Sequence, residues 1–137
     1  MYLKFPFEYA QIKGLGLLFY PIVNLSLQTV YGLRKFDFLV DTGADVTTLP
    51  SHILPMLGVD KNKLKTSITL GVGGIKVKTY EFKLPIFLDK EKLVISATAV
   101  DTDGKTMPFL LGRKDIFEEK FSLELDSKNK ATIIKSN

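Results

Sequence analysis

The chain is divided into short runs rich in Val, Ile, Leu, Phe, Tyr and Thr, separated by turn residues drawn from Gly, Asp, Asn and Lys. Branched and aromatic side chains fit a pleated, half-buried surface, and turns at such short intervals leave no room for long helices, so the pattern predicts an all-β sandwich or barrel. Leu17 to Gln28 reads as a strand, Val30-Tyr31-Gly32 as a turn and Leu33 to Val40 as the return strand. Pro21 has no amide hydrogen for a ladder and marks an edge or a bend. Leu49 to Leu57 carries two prolines and holds at most a turn or two of helix, stopping at Gly58. Thr66 to Leu70 and Ile75 to Phe82 flank a glycine cluster, as the arms of a hairpin would. Leu84 to Leu88 and Leu93 to Val100 are predicted as two more strands across Asp89 to Lys92. After the short apolar run Phe109 to Leu111, Lys114 to Lys120 predicts a helix of about two turns. Phe121 to Leu125 and Ala131 to Ile134 close the chain as a hairpin.

A length of 137 residues is enough for one domain with a real core and too short for two. The net charge of +4 comes from scattered lysines, with Arg34 and Arg113 the only arginines. No nucleic acid partner is expected, since no basic run or arginine clamp is present to track phosphates. With no cysteine, disulfides, thiolate metal sites and cysteine nucleophiles are excluded. His52 is the single histidine and no carboxylate cluster is visible, so no metal is expected. Met1 to Ala10 contains Lys4 and Glu8 and does not read as a secretory signal. No apolar run approaches the roughly 20 residues of a spanning helix, so no membrane partner is expected and a cytoplasmic location is the default expectation.

The most informative stretch is Phe38 to Asp45, where a hydrophobic strand runs into Asp41-Thr42-Gly43. A carboxylate at the end of a buried strand can be held close to a second one. Two carboxylates about 3 Å apart cannot both ionise, so they share a proton and act as base and acid on the same water and carbonyl. The Thr42 hydroxyl is suited to fixing the spacing of two such loops, and Gly43 lets backbone pass close to a substrate. As a bare tripeptide, Asp-Thr-Gly is more commonly an ordinary turn after a strand.

Two further segments change that balance. Gly71-Val72-Gly73-Gly74-Ile75-Lys76-Val77 and Leu110-Leu111-Gly112-Arg113 follow in order. Together with Asp41-Thr42-Gly43, they resemble the active-site motif, glycine-rich flap and apolar-apolar-Gly-Arg segment of retropepsins, the aspartic peptidases of retroviruses and their cellular relatives. The likeness covers about Leu17 to Phe121. It divides the chain into an N-terminal extension over residues 1–16, a strand or a leader, and a peptidase domain over residues 17–137. As a phosphate loop, the glycine cluster would need a Lys-Ser/Thr pair opening a helix, and a strand-like run follows instead.

The resemblance implies a small closed acid-protease barrel with a flap hairpin and one short C-terminal helix. It implies that Asp41 is catalytic, that Thr42 and Gly43 support it, and that Ala44, Asp45, Gly71, Val72, Gly73 and Gly74 bind substrate. Arg113 is expected to pair with Asp45, and Asp115 to cap the last helix in place of the usual residue at Lys114. A single motif in a chain of this length implies a homodimer acting on a peptide or protein substrate, with water as nucleophile and no cofactor. Asp101-Thr102-Asp103-Gly104 is interrupted by Asp103 and reads as a polar turn rather than a second motif. Phe121 to Ile134 is open to pairing within a subunit or between subunits. The competing reading is a catalytically weak dimerisation or peptide-binding module on the same fold.

Overall fold

The computed structural model describes residues 1–70, 74, 76–102 and 107–137. Twelve strands are described: β1 Tyr2–Pro6, β2 Glu8–Ile12, β3 Gly16–Tyr20, β4 Ile22–Thr29, β5 Gly32–Val40, β6 Thr47–Pro50, β7 Lys65–Leu70, β8 Lys76–Leu88, β9 Glu91–Val100, β10 Phe109–Leu111, β11 Phe121–Asp126 and β12 Ala131–Ser136. The main sheet runs β4-β5-β10-β6-β9-β8-β7, and a further pairing of β4 with β8 joins it back on itself. A three-stranded sheet runs β1-β12-β11, and β2 with β3 forms a hairpin. The protein is thus all-β.

Alternation builds the core. On β4, Val23, Leu25 and Leu27 are fully buried while Asn24 and Gln28 between and beyond them are exposed. On β8 and β9, Phe82, Leu84, Ile86, Leu88, Leu93, Ile95, Ala97 and Ala99 continue the same cluster, as a period of two requires. Phe38 on β5 is fully buried and meets Phe109 of β10 edge-on, with ring centroids 5.4 Å apart, at the position where the two strands are in register. This anchors β10 beside β5, so that both strands end at the same level.

Several local expectations are revised. Leu17 to Gln28 is two strands, because Pro21 interrupts the run between Tyr20 and Ile22. Of the expected strands Ile75 to Phe82 and Leu84 to Leu88, the described residues from Lys76 onward form one long strand, β8, with Lys83 an exposed position within it. The turn between β8 and β9 narrows to Asp89 and Lys90, with Asp89 at φ 55°. In the segment Leu49 to Leu57 the helical content is one 3-10 turn, Ser51–Ile53. A second 3-10 turn, Lys61–Lys63, lay unrecognised in the sequence, and the Asp60 carboxylate caps it by accepting from the Asn62 amide at 3.0 Å.

The short C-terminal helix does not form. Residues 114–120 are a chain of turns, in which the carbonyl of Arg113 accepts from the amides of Ile116 and Phe117. Asp115 sits at φ 69°, where a right-handed helix cannot pass. Its carboxylate caps no helix. Instead it accepts from the backbone amide of Ser96 on β9 at 2.7 Å, which fixes the turn against the main sheet. That contact also holds the Asp115 carboxyl below the usual carboxylate range.

Residues 2–6 pair with Ala131 to Lys135 of β12, and β11 takes the other side of β12, so the C-terminal strand is hydrogen-bonded on both edges within its own chain.

Candidate functional site

The candidate site forms where β5 and β10 end and β6 begins. β10 is parallel to β5, with Leu111 level with Val40, and antiparallel to β6 through Leu110 and Thr48. Asp41 follows β5 directly, and its amide donates to the Leu111 carbonyl at 3.0 Å, extending the ladder by one residue. The chain then folds tightly. The Asp41 carboxylate accepts from the Gly43 amide at 3.0 Å, and the Asp41 carbonyl accepts from the Ala44 amide at 3.1 Å. A β-carbon at Gly43 would lie 3.3 Å from that same carboxylate oxygen, so a side chain there crowds the group that the amide holds.

The segment after β10 crosses the loop from outside. Gly112 donates its amide to the Thr47 hydroxyl at 3.1 Å, and Arg113 and Lys114 donate theirs to the carbonyls of Ala44 and Asp45 at 3.1 and 2.9 Å. A β-carbon on Gly112 would stand 2.4 Å from the carbonyl carbon of Val46, so only glycine permits this approach. The Arg113 guanidinium reaches back, donating to the Thr42 carbonyl and lying 2.5 Å from the Asp45 carboxylate. A second carboxylate, Glu118, stands 3.6 Å from its Nε.

Asp41, Thr42, Gly43, Ala44, Asp45 and Arg113 are therefore assembled in one loop cluster, with Asp41 half-buried and Thr42 and Gly43 exposed. Gly74 is described, at φ 77° just before β8. Gly71, Val72 and Gly73 lie outside the described residues, as does Ile75. Asp103 to Thr106 lie outside them too, while Asp101 and Thr102 have no regular structure. Among the described residues no group of three or more metal-ligating side chains comes together, and no helix is long and apolar enough to cross a membrane.

Two features escaped sequence reasoning. Thr47 is fully buried and supplies the acceptor for Gly112, yet in the run Val46-Thr47-Thr48 it reads only as a strand former. Asp101 ties the Ser51–Ile53 turn to β8: its carboxylate accepts from the Ser51 hydroxyl at 2.6 Å and from the Tyr80 hydroxyl at 3.0 Å, while its amide donates to the Lys78 carbonyl at 3.3 Å. The Ser51 hydrogen bond holds the Asp101 carboxyl below its usual range, and burial pushes the Tyr80 phenol up.

Beside the loop opens a cavity of about 480 Å³ that includes Ala44, Asp45 and Val46 on one side and residues of β6 to β9 on the other.

Comparison with known proteins places this arrangement. The family model described as retroviral aspartyl protease matches residues 20–124. No curated protein matches the sequence. Among solved structures, a retropepsin-like aspartic protease from Rickettsia conorii is similar, with 25% identity over 98% of each chain and a TM-score of 0.64. The EIAV protease, solved in complex with an inhibitor, is 22% identical over 69% of this chain and 82% of its own, with a TM-score of 0.53. The retroviral protease-like domain of Ddi1 from Leishmania major is 12% identical over 86% of this chain and 88% of its own, with a TM-score of 0.61. The last two likenesses concern the fold alone.

Proposed function

Because this chain belongs to the retroviral aspartyl protease family, we propose that it is an aspartic endopeptidase, with two copies completing one site in which Asp41 of each faces the other. The observation that carries this reading is the Asp41-Thr42-Gly43 loop, set at the end of β5 and buttressed from behind by Gly112 and Arg113. A chain with one such loop offers one carboxylate, and the shared-proton pair that serves as base and acid in this mechanism needs two.

In the pair, one carboxyl is ionised and the other protonated. The ionised Asp41 takes a proton from water, whose oxygen attacks the peptide carbonyl carbon, while the protonated Asp41 of the partner subunit donates to the carbonyl oxygen. The tetrahedral diol then collapses. A proton passes to the peptide nitrogen, the C–N bond breaks, and the products leave with the dyad again singly protonated. Water is the only co-reactant, so no cofactor takes part. An extended peptide binds by backbone hydrogen bonds and side-chain pockets, with Ala44, Asp45 and the segment from Gly71 to Gly74 as its contacts. Thr42 is exposed and next to Asp41, and in this reading its hydroxyl bonds across the two-fold axis. β12 is paired on both edges within its own chain, which leaves β1 and β11 as the edges of the terminal sheet open to a second copy.

Serial dilution tests the shared site. Specific activity should fall together with the dimer fraction measured by sedimentation, and mixing with excess Asp41→Asn chain should suppress wild-type activity by forming mixed dimers. Activity that persists in the isolated monomer would refute the shared site. A folded dimer that binds peptides and cuts none would be a binding module on this fold.

A further inference from the structure

The cavity beside the Asp41 loop has an unusual chemical lining for a pocket that takes peptide side chains. Its walls come from Ala44, Asp45 and Val46 of the loop and from Thr48, Ser67, Thr79, Glu81, Thr98 and Val100 of the main sheet. Strand register explains why these residues share a face. Thr48 is opposite Thr98 and Thr98 opposite Glu81, while Val100 is opposite Thr79 and Thr79 opposite Ser67. Their neighbours Tyr80, Phe82, Ala97 and Ala99 turn to the core on the other face.

Three of the four hydroxyls, those of Thr48, Ser67 and Thr79, are hydrogen-bonded within the wall. Thr48 donates to the Val46 carbonyl at 3.2 Å and Thr79 to the Ser67 carbonyl at 3.2 Å. The Ser67 and Thr79 hydroxyls also contact each other at 2.8 Å, so one hydrogen of the pair is spent between them. What Thr48 and Thr79 offer the cavity is oxygen lone pairs, and Glu81 adds a carboxylate. Asp45 is neutralised by Arg113, whereas the partner of Glu81, Lys65, lies 3.7 Å away with 82% of its side chain exposed, so that pair is loose and screened.

We propose that this cavity selects a lysine or arginine side chain of the bound peptide, with Glu81 reading the charge and Val46 and Val100 lining the aliphatic stem. A guanidinium or ammonium supplies only donors, which is what a wall of acceptors requires, and its stem packs on apolar surface. A carboxylate in the peptide would face Glu81 with no free hydroxyl donor from Thr48 or Thr79. The inference rests on the peptidase reading above.

The test is cleavage of a mixed peptide library by the full chain, read by mass spectrometry, followed by peptide pairs carrying lysine or norleucine at the selected position. Lysine or arginine should be enriched at one position near the cut. The lysine peptide should exceed its norleucine twin in kcat/KM by about tenfold, the scale of a hydrogen bond to a charged group. Glu81→Gln should reduce that ratio and Glu81→Lys should abolish it. Cleavage by the wild type without basic enrichment, or a preference that survives both substitutions, overturns the proposal while leaving the peptidase reading intact. A wild-type dimer that cuts nothing removes both.

Discussion

Gly112 lies so close to Val46 that a single added carbon would stand 2.4 Å from the Val46 carbonyl carbon and 2.8 Å from the Thr47 nitrogen. The approach lets the Gly112 amide reach the buried Thr47 hydroxyl and carries Arg113 over the Asp41 loop. Gly112→Ala must push backbone against backbone, because no flexible side chain is there to yield. It should cost about 2–3 kcal/mol, the upper range for overpacking, read as a lower denaturant midpoint. An unchanged midpoint would mean that β10 and β6 separate easily, contrary to their packing.

Arg113 braces the loop through the Thr42 carbonyl and the Asp45 carboxylate. The guanidinium is one-third exposed and Asp45 is largely so, which keeps the ion pair's own contribution to stability within about 1 kcal/mol. Its geometric role is larger, because a planar fork spans two acceptors that an ammonium cannot reach together. Arg113→Lys should therefore lower kcat far more than it lowers thermal stability. Equal losses in both would indicate a purely structural residue.

Most of the strands were legible in the sequence because short apolar runs with turn residues allow little else, whereas β6, Thr47–Pro50, and β2, Glu8–Ile12, were not. The loop cluster was legible as well, since Asp41, Thr42, Gly43 and Arg113 occur in recognisable order. The last helix was misread for a physical reason. Residues 114–120 have helical composition, but Asp115 gives up right-handed backbone geometry to reach the Ser96 amide on a strand far away in sequence. Long-range contacts of that kind leave no local trace. Nor do Asp101 and its two hydroxyl partners, brought together from residues 51, 80 and 101.

That Asp101 cluster predicts a pH dependence. The Ser51 hydrogen bond holds the folded-state pKa of Asp101 below that of a free aspartate, about 4, so the carboxylate contributes stability above that value. The contribution fades as pH falls through the depressed folded-state value. Wild type should thus lose stability toward Asp101→Asn as the pH drops below about 4, with the two curves converging. A constant difference between pH 6 and 2, measured by thermal denaturation, would contradict this.

Thr42 is exposed beside Asp41 and is proposed to bond across the two-fold axis. Thr42→Ala should raise the dimer dissociation constant by about fivefold to tenfold, the worth of one or two modest hydrogen bonds, while leaving monomer stability within about 0.5 kcal/mol. Sedimentation at graded concentrations measures the first and chemical denaturation of dilute protein the second.

The central claim is that Asp41 is the carboxylate that activates water, and Asp41→Asn tests it most directly because the amide keeps the shape of the loop while removing the charge. The measurement is peptide cleavage across pH 3 to 7 by wild type, by Asp41→Asn, and by wild type with a pepstatin-like transition-state mimic. Wild type should cut, with activity confined to the range in which the pair holds one proton, and both the substitution and the mimic should abolish cutting. Undiminished cleavage by a folded Asp41→Asn dimer would contradict the account.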